Sequence, residues 1–369
     1  MVVSPVRTGM IRFGLSLMPE PGFATAAEPL FSEGIVSAVE WSFDMGWGSD
    51  PTPAWLDELL DFYCEQGWLL GHGVSYSLLG AAGRHEAWLD RLREEVERRR
   101  YRWITEHIGF VGAGRFSFSA PLPMPVADDV IQLGTARLGS LAAAAGVPVG
   151  VENLATCLSI RDAHDQGRLV SELLTAVDGI ALLDLHNLWC QSVNTGVAVQ
   201  DLLDAFPLDR VREIHVAGGR PDVGAHSGRT LRRDTHDALV PDEVVYLLTS
   251  IAPRCPNLEV VIYERLGTSL DSTEAQDLYR QDVSRLAAVV AALPATAPSP
   301  LTTPQTVDLS PIEIPAQLQR TQAELLEGFY TGVDAPTLQQ RLDRDDYPLD
   351  PDLTAVATEL TRTWGRLRA

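Results

Sequence analysis

The chain has 369 residues, 29 of them basic and 50 acidic, for a formal net charge of -21. Every basic residue is arginine, which excludes chemistries built on a lysine amine: Schiff-base aldolases, pyridoxal-phosphate enzymes and the Gly-Lys phosphate loop. The acidic balance speaks against nucleic acid as a partner, since nonspecific binding needs cationic groups against phosphates. Cys64, Cys157, Cys190 and Cys255 form no CxxC pair, so buried reduced thiols are expected. No run of 18 apolar residues occurs, and the start, MVVSPVRTGMIRFG, lacks the apolar block of a signal peptide. A soluble cytoplasmic protein, not attached to a membrane, is the expectation.

In chain order, strand-like runs fall at 11–17, 37–43, 68–75, 103–110, 147–153, 180–185, 211–216 and 258–263. Helix-like stretches fall at 53–66, 85–101, 128–145, 167–176, 198–205, 241–251 and 274–293. The strands repeat about every 35 residues, the period of a βα unit, and eight units predict a (β/α)8 TIM barrel of the α/β class over residues 1–293. An open doubly wound sheet is the alternative. It would more often show a Gly-rich first βα turn, whereas the first strand here ends in SLMPEPG. Residues 294–315 hold six prolines and read as an extended linker. Residues 316–369 read as a small helical C-terminal extension, helical at 316–330 and 351–369 with a polar turn over 343–351. It is too short for a robust core of its own and is expected to pack on the barrel or on a partner.

Barrel active sites lie at the C-terminal ends of the strands. There the sequence places His72 (GHGVSYS), His107 (WITEHIGF), Glu152 and Asn153 (VGVENLA), Asp184, His186 and Asn187 (ALLDLHNLW), His215 (REIHVAGG) and Glu264 (VVIYERLG). The loop after the seventh strand adds Asp234 and His236 (RRDTHD). Each interrupts or caps an apolar run, which is costly unless the group is paired or metal-bound. Imidazoles and carboxylates without a thiolate favour Fe, Mn or Zn. There are more ligands than one ion needs, so two or three ions are expected, with Glu152 able to bridge. His186 reads as a residue that supports a ligand rather than binding metal. His85 and His164 read as solvated, and His226 as a loop residue. The run RLREEVERRRYR reads as a solvated face with i,i+4 ion pairs.

The blocks HGVSYSL, TEHIGF, VENLA, LLDLHNLWCQSVNTG and EIHVAGG with a following DTH resemble the DUF692 family over roughly residues 10–290. These are the multinuclear non-haem iron-dependent oxidases, which include the methanobactin biosynthesis oxidase. The resemblance implies a barrel holding two or three irons, mixed Fe2+ and Fe3+, with dioxygen as co-substrate. It implies modification of a ribosomally synthesised precursor peptide, often at Cys and in other members at Asp or Asn, and in many members a separate leader-binding partner protein. On the matching positions, His72, His107, Glu152, Asp184, His215 and Glu264 are the main iron ligands; Asn187, Asp234 and His236 belong to a third iron site. His72, Glu152, Asp184 and His215 are expected to carry the catalysis.

The chain departs from the family at strand two, where the usual Glu-Asn pair is replaced by FDMGW with Asp44 near that place. It departs again at the first strand, which lacks the usual arginine, and after Glu264, where RLG follows. Two other functions fit less well. One is a divalent-metal sugar isomerase or metallohydrolase of the xylose-isomerase type, whose site usually includes a lysine. The other is a non-catalytic peptide-binding scaffold. The extension lies outside the resemblance and is expected to help recognise the peptide or partner.

Overall fold

The computed structural model describes residues 9–48, 51–81, 85–302, 314–342 and 347–367. The expectations for the first eight residues, for Pro304 and Pro311 of the linker, for residues 343–346 of the polar turn and for the last two residues lie outside them. The elements are β1 (Arg12–Ser16), α1 (Pro21–Ser32), β2 (Ala38–Trp41), α2 (Ala54–Glu65), β3 (Leu69–Gly73), α3 (His85–Arg98), β4 (Ile104–His107), β5 (Phe116–Phe118), α4 (Asp128–Ala145), β6 (Val149–Glu152), α5 (Ile160–Val177) and β7 (Ile180–Asp184). They continue with α6 (Leu185–Thr195), α7 (Val199–Leu203), β8 (Val211–Val216), β9 (Pro221–Val223), β10 (Thr230–Arg232), α8 (Asp242–Ile251), β11 (Val260–Tyr263), α9 (Thr273–Ala292), α10 (Ala316–Thr331), α11 (Ala335–Leu342), α12 (Pro351–Trp364) and β12 (Arg366–Leu367).

Eight parallel strands close a barrel in the order β1-β11-β8-β7-β6-β4-β3-β2. This is the TIM barrel expected from the strand period. The strands are buried on both faces and so read as apolar runs. Alternate residues point inward, which stacks the interior in layers. Trp103, Thr105 and His107 form one such column, and Ile180, Leu182 and Asp184 another. The lowest layer is an apolar floor of Ala38, Leu70, Trp103, Ile180, Val260 and Ile262. The uppermost is polar.

Helices α1, α6 and α11 were not expected from the sequence. In α1, Pro21 occupies the first turn and Pro29 sits inside, so the segment reads as a turn. α6 starts without a loop on the residue after β7. α5 begins seven residues earlier than the apolar spacing indicates, because Ser159 and Asp162 form a capping box. The arginine run of α3 is not simply a solvated face. Arg99 is 3% exposed and pairs with Asp57 (2.7 Å) and Asp61 (2.9 Å) of α2.

The linker runs against the N-terminal face of the barrel. Thr296 donates from its amide to Gly9 and from its hydroxyl to Leu258, Arg212 donates to Ser299, and Leu301 packs on the floor. The extension sits at the opposite face, on the loops that follow four barrel strands. Gln322 of α10 accepts from the Ala81 amide (2.8 Å) and donates to the Leu79 carbonyl (2.6 Å), beyond β3. Beyond β4, β12 pairs antiparallel with β5 and Arg115 pairs with Glu327. Beyond β6, Tyr347 donates to Asp162 and the Asp350 amide to Leu158. Beyond β8, Asp352 accepts from the His226 amide and the Ser227 hydroxyl, and Arg229 donates to Asp350.

Candidate metal centre

Six of the sequence-derived residues converge at the C-terminal mouth of the barrel, and their positions follow from strand ends. His107, Glu152 and Asp184 are the last residues of β4, β6 and β7, His72 and His215 are next to last in β3 and β8, and Glu264 follows β11 directly. Asn153 locks this register by donating to the Asp184 carbonyl (3.0 Å) and accepting from the Asp184 amide (2.9 Å). Asp184 also caps α6, accepting from the Asn187 amide. Asn187 in turn donates to Glu152 Oε1 (3.1 Å).

Two ligand groups form, and they meet at Glu152. One is His72, His107 and Glu152; the other is Glu152, Asp184, His215 and Glu264. His72 Nε2 and His107 Nε2 each lie 3.2 Å from the same oxygen, Glu152 Oε2. His215 Nδ1 lies 3.1 Å from Glu264 Oε2. Asp234 Oδ1 lies 2.6 Å from His236 Nε2 and 2.9 Å from His186 Nδ1, and His236 Nε2 is 3.7 Å from Glu264. His236 adopts φ 50, the left-handed region that non-glycine residues seldom occupy outside functional sites.

The residues fit metal on their own chemistry. Glu152 Oε2, Asp184 Oδ2, Asn187 Oδ1, His215 Nδ1 and His236 Nε2 are buried and have no hydrogen-bond partner. Several approach one another within ion-pair distance yet lack hydrogen-bond geometry, as lone pairs do when they converge on a shared cation. The field agrees. Burial raises the Asp184 carboxyl well above the usual range, helped by Asp234, Glu152 and Glu264 nearby. Burial would lower the His236 imidazole, but Asp234 and Glu264 overcome it and raise it to about 10. Burial likewise opposes ionisation of Glu264, and His215 and His236 overcome it and bring it down to about 2. A site that holds protons this firmly on its imidazoles is a site that favours cations. His72, Asp184 and His215 are sealed, whereas the side chains of His107 (20% exposed), Asp234 (24%) and His236 (20%) form the side open to solvent.

One expectation changes, and the contacts of three other residues are now defined. His85 is not solvated: it is 4% exposed, its Nε2 is 3.2 Å from the Ser77 carbonyl, and its ring meets Tyr76 edge-on. Asp44 does not reach the centre. Its carboxylate accepts from the amides of Val74 and Ser75, the Ser75 hydroxyl and Trp88 Nε1. Asn187 bonds Glu152, while Asp234 is gripped by His236 and His186. His164 and His226 are exposed as expected.

Sequence reasoning missed Glu40, Glu106 and Glu213, all at most 1% exposed. Glu40 and Glu213 form a third group with His215. Glu106 accepts from the amides of Tyr76 (3.0 Å) and His107 (2.9 Å). The available signal was a lone acid inside each of the runs SAVEWSF, WITEHIGF and REIHV.

A family model described as RiPP precursor modification enzyme MbnB/TglH/ChrH matches residues 51–276. The chain belongs to this family. Among its relatives is a UPF0276 protein of Caulobacter vibrioides, 29% identical over 246 residues, which are 66% of this chain and 82% of the relative. Another, from Acaryochloris marina, is 29% identical over 182 residues, 46% of this chain and 66% of the relative. A xylose isomerase domain containing protein from Salmonella typhimurium aligns with TM-score 0.48 and 12% identity, covering 74% of this chain and 97% of that one. The family match spans β3 to β11 and leaves the extension outside. Among the described residues, no helix is long and apolar enough to cross a membrane.

Proposed function

We propose that the protein is a multinuclear non-haem iron enzyme that uses dioxygen to modify a residue, cysteine foremost, in a ribosomally synthesised precursor peptide. The observation that carries this reading is the sharing of Glu152 between two ligand groups of imidazoles and carboxylates. Membership of a family of peptide-modifying enzymes supports the substrate class.

Glu152, Asp184, His215 and Glu264 would hold one iron, and His72, His107 and Glu152 a second. Asp234 and His236 offer a third position on the open side. Iron bound there would supply one-electron chemistry with dioxygen and a seat for a substrate heteroatom. The chain's own residues set the conditions. Asn187 fixes the Glu152 carboxylate, Asn153 fixes Asp184, and the sealed faces of His72 and His215 keep bulk water from the inner ligands. The peptide would approach from the side of His107, Asp234 and His236. The extension, resting on loops of that face, forms part of the wall it passes. Full turnover after deletion of residues 294–369 would remove the extension from this role.

Metal analysis of aerobically and anaerobically purified protein, with mass spectrometry of a co-expressed precursor peptide, tests the reading. Two or more irons per chain and an oxygen-dependent mass change are expected. Zinc or magnesium without iron, together with oxygen-independent activity, would overturn it.

A further inference from the structure

His215 is held between two sets of buried carboxylates. Its Nδ1 faces Glu264, in the group that also contains Glu152 and Asp184. Its Nε2 lies 3.1 Å from Glu40 Oε2 and 3.5 Å from Glu213 Oε1. Glu40 and Glu213 are fully buried, and neither is reached by solvent through the mouth. The two sides differ in geometry. The approach of Nε2 to Glu40 is a hydrogen bond, whereas Nδ1 has no hydrogen-bond partner. A neutral imidazole carries one N–H and one lone pair, so the side that takes the proton decides which nitrogen faces a cation.

We propose that Glu40 is a positioning residue: it accepts the Nε2 proton of His215 and so presents the Nδ1 lone pair to the ion held with Glu152, Asp184 and Glu264. The inference rests on the metal reading above. Glu213 sits beside this hydrogen bond and is itself held by Trp103 Nε1 at 2.7 Å, which anchors the arrangement to the apolar floor. His72 is oriented in the same sense by a neutral group. Its Nδ1 is 2.9 Å from Thr105 Oγ1, and Thr105 donates onward to the Gly71 carbonyl, leaving Nε2 for the Glu152 side. Glu40 differs from Thr105 in being a charged acceptor, so it also makes the ring a stronger donor to a metal. The residue touches no substrate and hydrogen-bonds His215; His72 Nδ1, at 3.9 Å from the same Glu40 oxygen, lies beyond hydrogen-bond reach.

Cobalt(II) alone, titrated into the full-length metal-free protein and followed by its visible absorption, tests this. Glu40→Gln keeps the shape and removes the charge; it is expected to weaken cobalt binding about 10–100-fold and to change the band pattern. Glu40→Asp, which shortens the reach, is expected to weaken binding by less. In a His215→Ala background, Glu40→Gln is expected to cause a much smaller loss, because its hydrogen-bond partner is gone and only the longer 3.9 Å approach to His72 remains. An effect that persists undiminished in that background would mark a merely structural role and overturn the proposal. So would wild-type affinity and spectrum in Glu40→Gln. A wild-type chain that binds no cobalt would instead overturn the metal reading itself.

Discussion

The two ends of the barrel interior are built from the same strands and differ in almost every other respect. At the floor, inward positions are apolar, and the charges are paired at the edge. Arg102 and Arg212 both bond Glu259, and the guanidiniums of Arg12 and Arg102 lie 4.0 and 4.1 Å over the Trp68 ring. At the mouth, two to four residues along the same strands, inward positions are imidazoles and carboxylates with unpartnered atoms. The floor satisfies its charges in pairs, whereas the mouth gathers carboxylates and imidazoles whose buried atoms are left without hydrogen-bond partners. The comparison teaches that stability and function are stored in separate layers, joined by Trp103, which packs in the floor and donates to Glu213 above it.

Substitution at the mouth should show the largest effect. Asp184→Asn is expected to weaken metal binding more than about 100-fold, beyond the loss usual for a supporting partner, while the metal-free protein melts at the same temperature or higher, because an amide has no ionised form to bury beside Asp234, Glu152 and Glu264. Metal stoichiometry and calorimetry check both halves, and a large fall in metal-free stability would break the division. At the floor the reverse is expected. Trp103→Ala should cost about 3–5 kcal/mol in urea unfolding, with metal stoichiometry of the folded fraction retained.

His85, outside the barrel wall, gives a smaller and pH-dependent effect. Burial, with Arg137 beside it, lowers its pKa to about 4. The folded state resists protonation that the unfolded chain accepts below about 6.5. Stability is therefore full above pH 6.5 and falls by about 3 kcal/mol as pH drops to 4. His85→Gln should flatten that part of the curve; an unchanged slope would show that other groups set it.

The clamps of the extension rank last. Gln322→Ala leaves the Ala81 amide and the Leu79 carbonyl unpaired and should cost about 1–3 kcal/mol. Glu327→Gln, in an exposed pair with Arg115, should change stability by less than about 1 kcal/mol. Chemical denaturation orders the two, and equal effects would mean that the extension is held by its surface charges instead.

Much of this organisation was legible in the sequence. All eight barrel strands announce themselves as apolar runs because both faces are buried, and the mouth ligands announce themselves as charges that end those runs. The rest was hidden for physical reasons. Glu40 and Glu213 lie inside their strands, where a lone acid looks like solvent exposure until the closed barrel shows that no inward position meets solvent there. His85 opens a helix with a polar exposed face, and only the edge-on contact of its ring with Tyr76 reveals its burial. The floor contact of the linker could not be read from its prolines, since a polyproline-rich segment looks the same free or seated.

Glu152 belongs to two ligand groups at once, which has a consequence for how two cations would share it. A first cation on either side would neutralise part of a carboxylate that Asn187 already holds on one oxygen. A second would then meet a less negative ligand, a coupling free energy that acts equally in both directions. On the reading proposed above, the two positions would not have independent affinities, and a binding curve would report the pair, with Glu152 as the residue that links them.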